Sequence, residues 1–247
     1  MITFITCKKE VMKMSKQELK EGIRDGLPIC LGYISVSMAF GLTAVKAGMP
    51  IWATVLISLT NLTSAGQFAG TNLLIAQSSY IELMITTFII NIRYFLMSLS
   101  ISQKVDKHFG IKERLIASFG VTDEVFAVSM QRRTEITFSY MLGLIGTPII
   151  GWTSGTLIGA VATSLLPEAL TDAMGIALYG MFIAIIVPPA REQKSVLVAV
   201  ILAILASYAF TYLPVLSALS GGWSVIIITV AVSAFAAWLF PVPEEEV

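Results

Sequence analysis

The chain has 247 residues, of which 56% are hydrophobic and only 13% are charged, and its mean hydropathy is +0.82. A water-soluble domain of this length needs more charge to cover its surface, so these values exclude a soluble globular protein. The formal net charge is zero, which excludes the basic surface typical of nucleic-acid-binding proteins. The cysteines Cys7 and Cys30 and the single histidine, His108, predict neither a disulfide nor a metal site, and no cofactor is expected.

Residues 1–25 form a basic tail in which six Lys and Arg residues follow a short apolar start. That start is too short for a secretory signal peptide, so we expect an uncleaved tail on the cytoplasmic side. Residues 26–240 are predicted to form a single transmembrane helical domain. Residues 241–247 are predicted to form an acidic tail, also cytoplasmic.

Apolar segments follow one another along the domain and predict an all-α polytopic membrane protein, because backbone polar groups in hydrocarbon must be satisfied within helices. We count about six to eight such segments, depending on whether two of them cross the membrane or only re-enter it. The predicted segments are Leu27–Val45, Ile51–Ala76, Tyr80–Ser102, Leu115–Met130, Thr137–Leu166, Ala169–Val187, Ser195–Leu213 and Gly222–Phe240.

Two of these segments contain residues that a plain span excludes. Ile51–Ala76 is interrupted by the small and polar run Asn61–Gln67, and Leu115–Met130 is short and contains adjacent acids. A charged residue at membrane depth costs about 2.5–3.5 kcal/mol, so both segments are predicted to be broken or re-entrant helices. If both re-enter, the four basic residues within 104–114 lie inside, as the positive-inside rule favours; if both span, these residues lie outside.

The segment Thr137–Leu166 carries Gly151, Gly155 and Gly159 at four-residue spacing. Such a row of small residues lets another helix approach closely. The partner of this row is either a helix of the same chain or a separate subunit.

Arg93 lies in the interior of the third segment, beside Asn91 and well away from both ends. A guanidinium at that position cannot easily reach the membrane surface, so it is expected to face a cavity or an acidic partner. It either forms an ion pair that orders the helices, binds a substrate carboxylate, or belongs to a pair that breaks and reforms during transport.

Asp123 and Glu124 follow Gly120 and Thr122 in the fourth segment. Thr122 or Asp123 could cap a short helix. Two adjacent carboxyl groups do not both ionise cheaply in a membrane, so the pair also suits proton coupling or the binding of an ammonium group.

The interruption in the second segment predicts a half-helix that begins near Ser64. Its free N–H groups and the positive end of its dipole would form a site for a carboxylate. The alternative is a packing patch of small residues. The candidate binding residues here are Ser64, Ala65, Gly66, Gln67 and Phe68.

The sequence contains no H-E-x-x-H, G-x-S-x-G or P-loop motif. Its single histidine lies in a predicted loop, which argues against Ser–His catalysis. We therefore expect a protein that is not an enzyme and has no nucleotide site, driven by an ion gradient or by the substrate gradient.

Four motifs occur in order along the chain: Gly26-Leu-Pro-Ile-Cys-Leu-Gly-Tyr33, Ala65-Gly-Gln-Phe68, Asn91-Ile-Arg-Tyr94 and Gly120-Val-Thr-Asp-Glu-Val-Phe-Ala127. With their spacing they resemble the AzlC family, the large subunits of bacterial branched-chain amino-acid exporters. The chain differs from the family's usual pattern at Tyr94, where many members have histidine.

The resemblance implies a secondary transporter of the bacterial inner membrane that exports leucine, isoleucine, valine and in some members methionine, coupled to proton entry. It also implies a small hydrophobic partner subunit of AzlD type. We hypothesise that Arg93 and the half-helix start bind the substrate carboxylate, and that Asp123 or Glu124 takes the ammonium group or the proton. An importer or channel for another solute, or a non-transporting scaffold subunit, remains the alternative. Phe68, Met97 and Phe126 are candidates for an apolar wall around the substrate side chain.

Overall fold

The structure is a computed structural model that describes residues 2–163, 183, 186–213, 216, 219 and 221–241. The predicted segment Ala169–Val187 lies almost wholly outside the described residues, as does the acidic tail. Helices dominate the part that is described, where the only sheet-like pairing is an isolated parallel bridge between Val105 and Ile136. The predicted all-α fold class is confirmed.

The helices are numbered in chain order, and a further helical stretch at 186–192 precedes the last two. Their bounds are α1 Ile2–Lys46, α2 Ile51–Thr60, α3 Ala65–Ile75, α4 Tyr80–Asn91, α5 Arg93–Lys104, α6 Ile111–Phe119, α7 Asp123–Gln131, α8 Phe138–Ala162, α9 Lys194–Tyr212 and α10 Gly221–Leu239.

Five helical stretches among the described residues are long and apolar enough to cross a membrane. One of them combines α4 and α5, which together run for 25 residues. The protein is therefore a polytopic membrane protein, as its composition indicates. The five stretches are Lys16–Lys46, Tyr80–Lys104, Phe138–Ala162, Lys194–Tyr212 and Gly222–Leu239.

Both segments that were predicted to be broken are broken. Residues 61–64 separate α2 from α3, and Ser64 adopts a φ of 43°, a left-handed conformation that an α-helix does not accommodate. Residues 120–122 separate α6 from α7, and α6 begins at Ile111, earlier than predicted. Whether these segments cross the membrane or re-enter it stays a prediction.

A third interruption, at Ile92, was not predicted. Ile92 keeps helical backbone angles, with φ −57° and ψ −30°, but the Phe95 N–H donates to the Ile92 carbonyl instead of continuing the α-helical ladder. No glycine or proline marks this position. The local i→i+3 bond is typical of a helix that tightens at a junction.

The described residues form two compact units. The first comprises Met1–Gln67 and Asn91–Thr171, and the second comprises Phe68–Ile90 and Asp172–Val247. The first unit therefore holds α1, α2 and α5 to α8 together with all three helix interruptions.

The first unit is built on the close packing of α1 against α8. Gly159 lies against the backbone of Met38, and Gly155 lies against Ile34. From the other side, Gly22 of α1 lies against the carbonyl of Tyr140, so part of the predicted basic tail belongs to this packed helix pair. A methyl group at any of these glycines would collide with the facing backbone, which explains why glycine stands there.

The second unit brings the start of α4 to the start of α10. The Gly222 backbone lies directly against the Glu82 side chain, and the Thr86 hydroxyl donates to the Gly222 carbonyl at 3.5 Å. Glu82 is buried, with 4% of its surface exposed. Glu82 therefore packs inside the second unit, at the start of α4.

Candidate functional site

The three helix interruptions of the first unit carry the polar side chains that the sequence singled out. Arg93 is the first residue of α5, Asp123 is the first residue of α7, and Ala65 is the first residue of α3. Because a helix end leaves backbone groups without intrahelical partners, each interruption is a natural place for polar contacts inside a membrane protein.

Arg93 forms an ion pair with Asp123. The distance between Arg93 Nη1 and Asp123 Oδ2 is 2.8 Å, and 43% of each side chain is exposed. The guanidinium also lies 5.1 Å from the centre of the Tyr94 ring. This exposure matters because a fully enclosed pair could not be reached by a ligand, whereas this pair can be.

Glu124 has a different partner from its neighbour Asp123. The Tyr33 hydroxyl of α1 donates a hydrogen bond to Glu124 Oε2 at 2.5 Å. Thr122 caps α7, since its side chain accepts from the Val125 N–H at 3.4 Å. Thr122 is therefore the cap of α7. The carboxylates of Asp123 and Glu124 are not needed as caps, and their negative charge is favoured at the N-terminus of the helix.

The start of α3 lies beside Asn91. A Cβ atom placed on Gly66 would lie 2.5 Å from Thr63 Oγ1 and 2.8 Å from Asn91 Oδ1, so the two polar side chains converge on the backbone of Gly66. Only glycine permits this approach. The predicted half-helix with a polar surround is present here, and Ser64 forms the turn that leads into it.

Three buried polar atoms in this region have no hydrogen-bond partner within the part of the chain that the structure describes: Thr63 Oγ1, Asn91 Oδ1 and Arg93 Nε. An unsatisfied buried polar group costs about 1–3 kcal/mol, so such atoms are rare unless a ligand or water completes them. The region is thus equipped with hydrogen-bonding capacity that the described protein does not use.

Gln67 is placed differently from its neighbours at the start of α3. Only 1% of its surface is exposed, and its Nε2 donates to Ser58 Oγ at 2.6 Å. Trp152 Nε1 donates to Gln67 Oε1 at 2.9 Å, and Ser58 shares a further 2.7 Å hydrogen bond with Thr156. The side-chain amide of Gln67 therefore connects α2, α3 and α8.

Phe68 belongs to the second unit, where it is buried with 7% of its surface exposed. In the first unit, Met97 and Phe126 are partly buried and pack against the apolar core that includes Val125 and Met141. The structure thus brings Met97 and Phe126 to one core, on the helices that carry Arg93 and Asp123.

Tyr33 and Trp152 are the residues that the sequence reasoning missed. Their rings meet edge to face at 5.2 Å, and Trp152 is 1% exposed. Through its hydrogen bond to Glu124, Tyr33 connects this ring pair to the acids of α7. One signal could have found Trp152: a tryptophan within a glycine-rich helix needs an acceptor for its indole N–H.

The glycines Gly151, Gly155 and Gly159 all face α1. Gly151 lies against Cys30, and the other two lie against the Ile34 to Met38 stretch. The helix partner of this row is therefore within the chain, and the face is not open to a separate subunit. Among the residues described, no three His, Cys, Asp or Glu side chains lie close enough to hold a metal ion.

Comparison with known proteins identifies the family. The model of the family described as AzlC protein matches residues 28–166, more than half of the chain. The chain belongs to the AzlC family. The matched range contains Tyr33, Arg93, Asp123, Glu124 and Trp152, so the family region and the candidate site coincide.

Three relatives of this AzlC-family protein span bacteria and archaea. Inner membrane protein YgaZ of Escherichia coli K12 is 29% identical over 203 residues, which cover 79% of this chain and 83% of the relative. An uncharacterized membrane protein of Archaeoglobus fulgidus is 32% identical over 171 residues, or 68% and 74% of the two chains. The branched-chain amino acid transport protein AzlC of Bacillus subtilis 168 is 21% identical over 174 residues, or 68% and 66%. No solved structure matches.

Proposed function

We propose that this AzlC-family protein is a secondary transporter that exports branched-chain amino acids, leucine, isoleucine, valine and also methionine, in exchange for protons. The observation that carries the proposal is the half-exposed ion pair between Arg93 and Asp123, formed where two helices begin. The name of the Bacillus subtilis relative, a branched-chain amino acid transport protein, supports the substrate class.

A zwitterionic amino acid matches both halves of the ion pair. Its carboxylate can replace Asp123 at the Arg93 guanidinium, and its ammonium group can take the place of Arg93 at the Asp123 carboxylate. Such an exchange leaves no charge unpaired in a site of low dielectric constant, where an unpaired charge is costly. Of the unused polar atoms, Thr63 Oγ1 and Arg93 Nε can donate to the substrate carboxylate, and Asn91 Oδ1 can accept from the ammonium group.

Glu124 is the proposed proton carrier, separate from the substrate pair. Its carboxylate accepts a hydrogen bond from Tyr33 and is free to take up a proton once that hydrogen bond opens. Asp123 is engaged by Arg93, so the proposal gives it the ammonium group of the substrate instead. The proposal thus gives each of the two adjacent acids a role of its own.

The apolar part of the substrate is proposed to lie against Met97 and Phe126. Met97 follows Arg93 by one turn on α5, and Phe126 follows Asp123 by about one turn on α7. Both therefore lie near the groups that would hold the charged end of the amino acid. A flexible methionine accommodates side chains of different branching.

The assembly is proposed to include a small hydrophobic AzlD-type subunit in the bacterial inner membrane, with both ends of the large subunit in the cytoplasm. The glycine row of α8 is occupied by α1, so that subunit would dock elsewhere. Helix α9 offers an alternative face, since no residue of it is buried.

An export assay tests the function. Cells without their own exporters express the chain with and without a small hydrophobic AzlD-type protein. They are loaded with leucine, valine or isoleucine dipeptides, and the released amino acid is timed. Release should accelerate, and Arg93→Gln, Asp123→Asn and Glu124→Gln should abolish the acceleration at unchanged membrane levels. Glu135→Gln, which removes an exposed loop acid, is the matched control. Unchanged release of every branched-chain residue would overturn the substrate assignment.

A further inference from the structure

A groove on the first unit lies outside the site just described. It has a volume of about 280 Å³ and runs between α5 and α6, with Met141 of α8 at its floor. Phe95 and Leu99 on its rim are 69% and 51% exposed, so the groove opens sideways to the surroundings of the protein. The lining residues are Phe95, Ser98, Leu99, Ile101, Ser102, Val105, Phe109, Arg114, Ala117, Ser118, Val121 and Met141.

The lining residues of the groove follow one another along two helices. On α5 its lining extends from Phe95 to Ser102, a distance of about 10 Å at the rise of an α-helix, and Val105 and Phe109 line it beyond the end of that helix. On the α6 side it extends from Arg114 to Val121. An elongated apolar slot of this length matches an extended acyl chain, whereas the branched side chain of an amino acid is compact.

The groove has one basic lining residue, near the loop that follows α5. Arg114 lines it, and its Nε donates to the Phe109 carbonyl at 3.3 Å, which holds the guanidinium in place. The segment 104–114 contains four basic residues and two acids. Asp106 pairs with His108, while Lys107, Lys112 and Arg114 have no carboxylate partner in the described part of the chain.

We propose that this groove binds one anionic phospholipid, with an acyl chain along Phe95, Leu99 and Ala117 and the phosphate at Arg114. The charge complementarity selects the occupant: a zwitterionic lipid would fill the apolar slot but gain less from the uncompensated cations. A loop rich in basic residues also favours the cytoplasmic leaflet, where anionic lipids concentrate.

Two lining residues at the opposite end of the groove are near neighbours, in the sequence, of the residues of the ion pair. Phe95 and Val121 line the groove, and each is two residues from a member of the Arg93–Asp123 pair. An acyl chain seated between α5 and α6 therefore supports the two helix ends that position those charges.

Lipid binding to the purified full chain in detergent tests the proposal. Native mass spectrometry measures retention of phosphatidylglycerol and of phosphatidylcholine with identical acyl chains. We expect phosphatidylglycerol to bind about five- to tenfold more tightly, and Arg114→Gln to remove most of that preference. Arg133→Gln, an equal loss of charge on an exposed loop residue outside the groove, should retain it.

A second variant tests the apolar part of the site. Ser118 is exposed and lines the groove, so Ser118→Phe fills the slot without entering the core, and it should reduce retention of the phosphatidylglycerol molecule at least fivefold. Equal binding of the two lipids to the unchanged protein would overturn the proposal, as would equal losses in Arg114→Gln and Arg133→Gln. Glycerol phosphate that competes as well as the whole lipid would also overturn it, because the site would then recognise phosphate alone.

Discussion

Trp152 donates its indole N–H to the side-chain carbonyl of Gln67 over 2.9 Å, and through this contact α8 holds the start of the half-helix α3. The amide of Gln67 is simultaneously a donor to Ser58 of α2. The broken second segment is therefore tied on both sides of its break, by one buried side chain, to the helix that packs along α1. A rigid break of this kind can present backbone N–H groups to a ligand without rearrangement.

Replacing Gln67 by leucine should destabilise the protein by about 2–4 kcal/mol, because it leaves Trp152 Nε1 without an acceptor and Ser58 without its donor in a buried setting. Thermal unfolding in detergent measures the loss. Gln103→Leu removes an exposed amide from α5 and is the control, with a melting temperature close to that of the unchanged protein. A small effect of Gln67→Leu would show that the network does not hold the break in place.

The glycine row of α8 gives a second stability prediction. A Cβ at Gly159 would lie 2.7 Å from the carbonyl carbon of Met38, so Gly159→Ala must push α1 away and should cost about 1–3 kcal/mol. Gly146 lies on the same helix with nothing within 4 Å of the added atom. Gly146→Ala should be neutral or stabilising by about 0.5–1 kcal/mol. Equal melting temperatures for the two variants would contradict the packing of α1 on α8.

The fold class and two of the three helix breaks could be predicted from the sequence, because polar and small residues inside an apolar segment mark an interruption directly. The third break could not, since Ile92 keeps helical backbone angles and no glycine or proline marks its position. An acidic partner for Arg93 could be expected from the sequence, because an unpaired guanidinium is costly inside a membrane. That the partner is Asp123 and not Glu124 depends on which way α7 faces.

Other parts of the site depend on contacts between helices far apart in the sequence. Tyr33 lies 91 residues before Glu124, and no local pattern indicates that its hydroxyl meets that carboxylate. Gln67 was grouped with residues for substrate binding because it follows the break. Its burial against Trp152 depends on the register of α3 with α8, which a single sequence does not encode in any short motif.

Arg132 joins the loop after α7 to α1 and gives a third prediction. Its side chain is 14% exposed, lies 3.5 Å from Glu21 and 3.8 Å from Glu18, and stacks on Tyr140. Arg132→Gln removes the charge that faces both acids and should cost about 1–3 kcal/mol. The cost should be somewhat larger at low salt than at high salt, because the Glu21 side chain is 38% exposed and salt screens exposed charges.

Melting temperatures at two salt concentrations measure the effect of Arg132→Gln. The adjacent Arg133 is exposed, so Arg133→Gln should change the stability by less than about 0.5 kcal/mol. If both variants lose the same stability, the loss comes from the net charge of the loop and not from the contacts of Arg132 with α1.

Variants of the Arg93–Asp123 pair can show whether it binds substrate or only stabilises the fold. Arg93→Gln and Asp123→Asn each leave one charge without its partner, at a cost of about 1 kcal/mol after allowance for the 43% exposure of both side chains. The double variant removes both charges, so it should regain the stability of the unchanged protein. If the pair binds a zwitterion, the double variant still fails to export leucine, because neither end of the substrate finds its charge. Melting temperature and leucine release are therefore measured in the same four proteins: the unchanged protein, the two single variants and the double variant. Export by the double variant at the original rate would show that the pair only orders the helices.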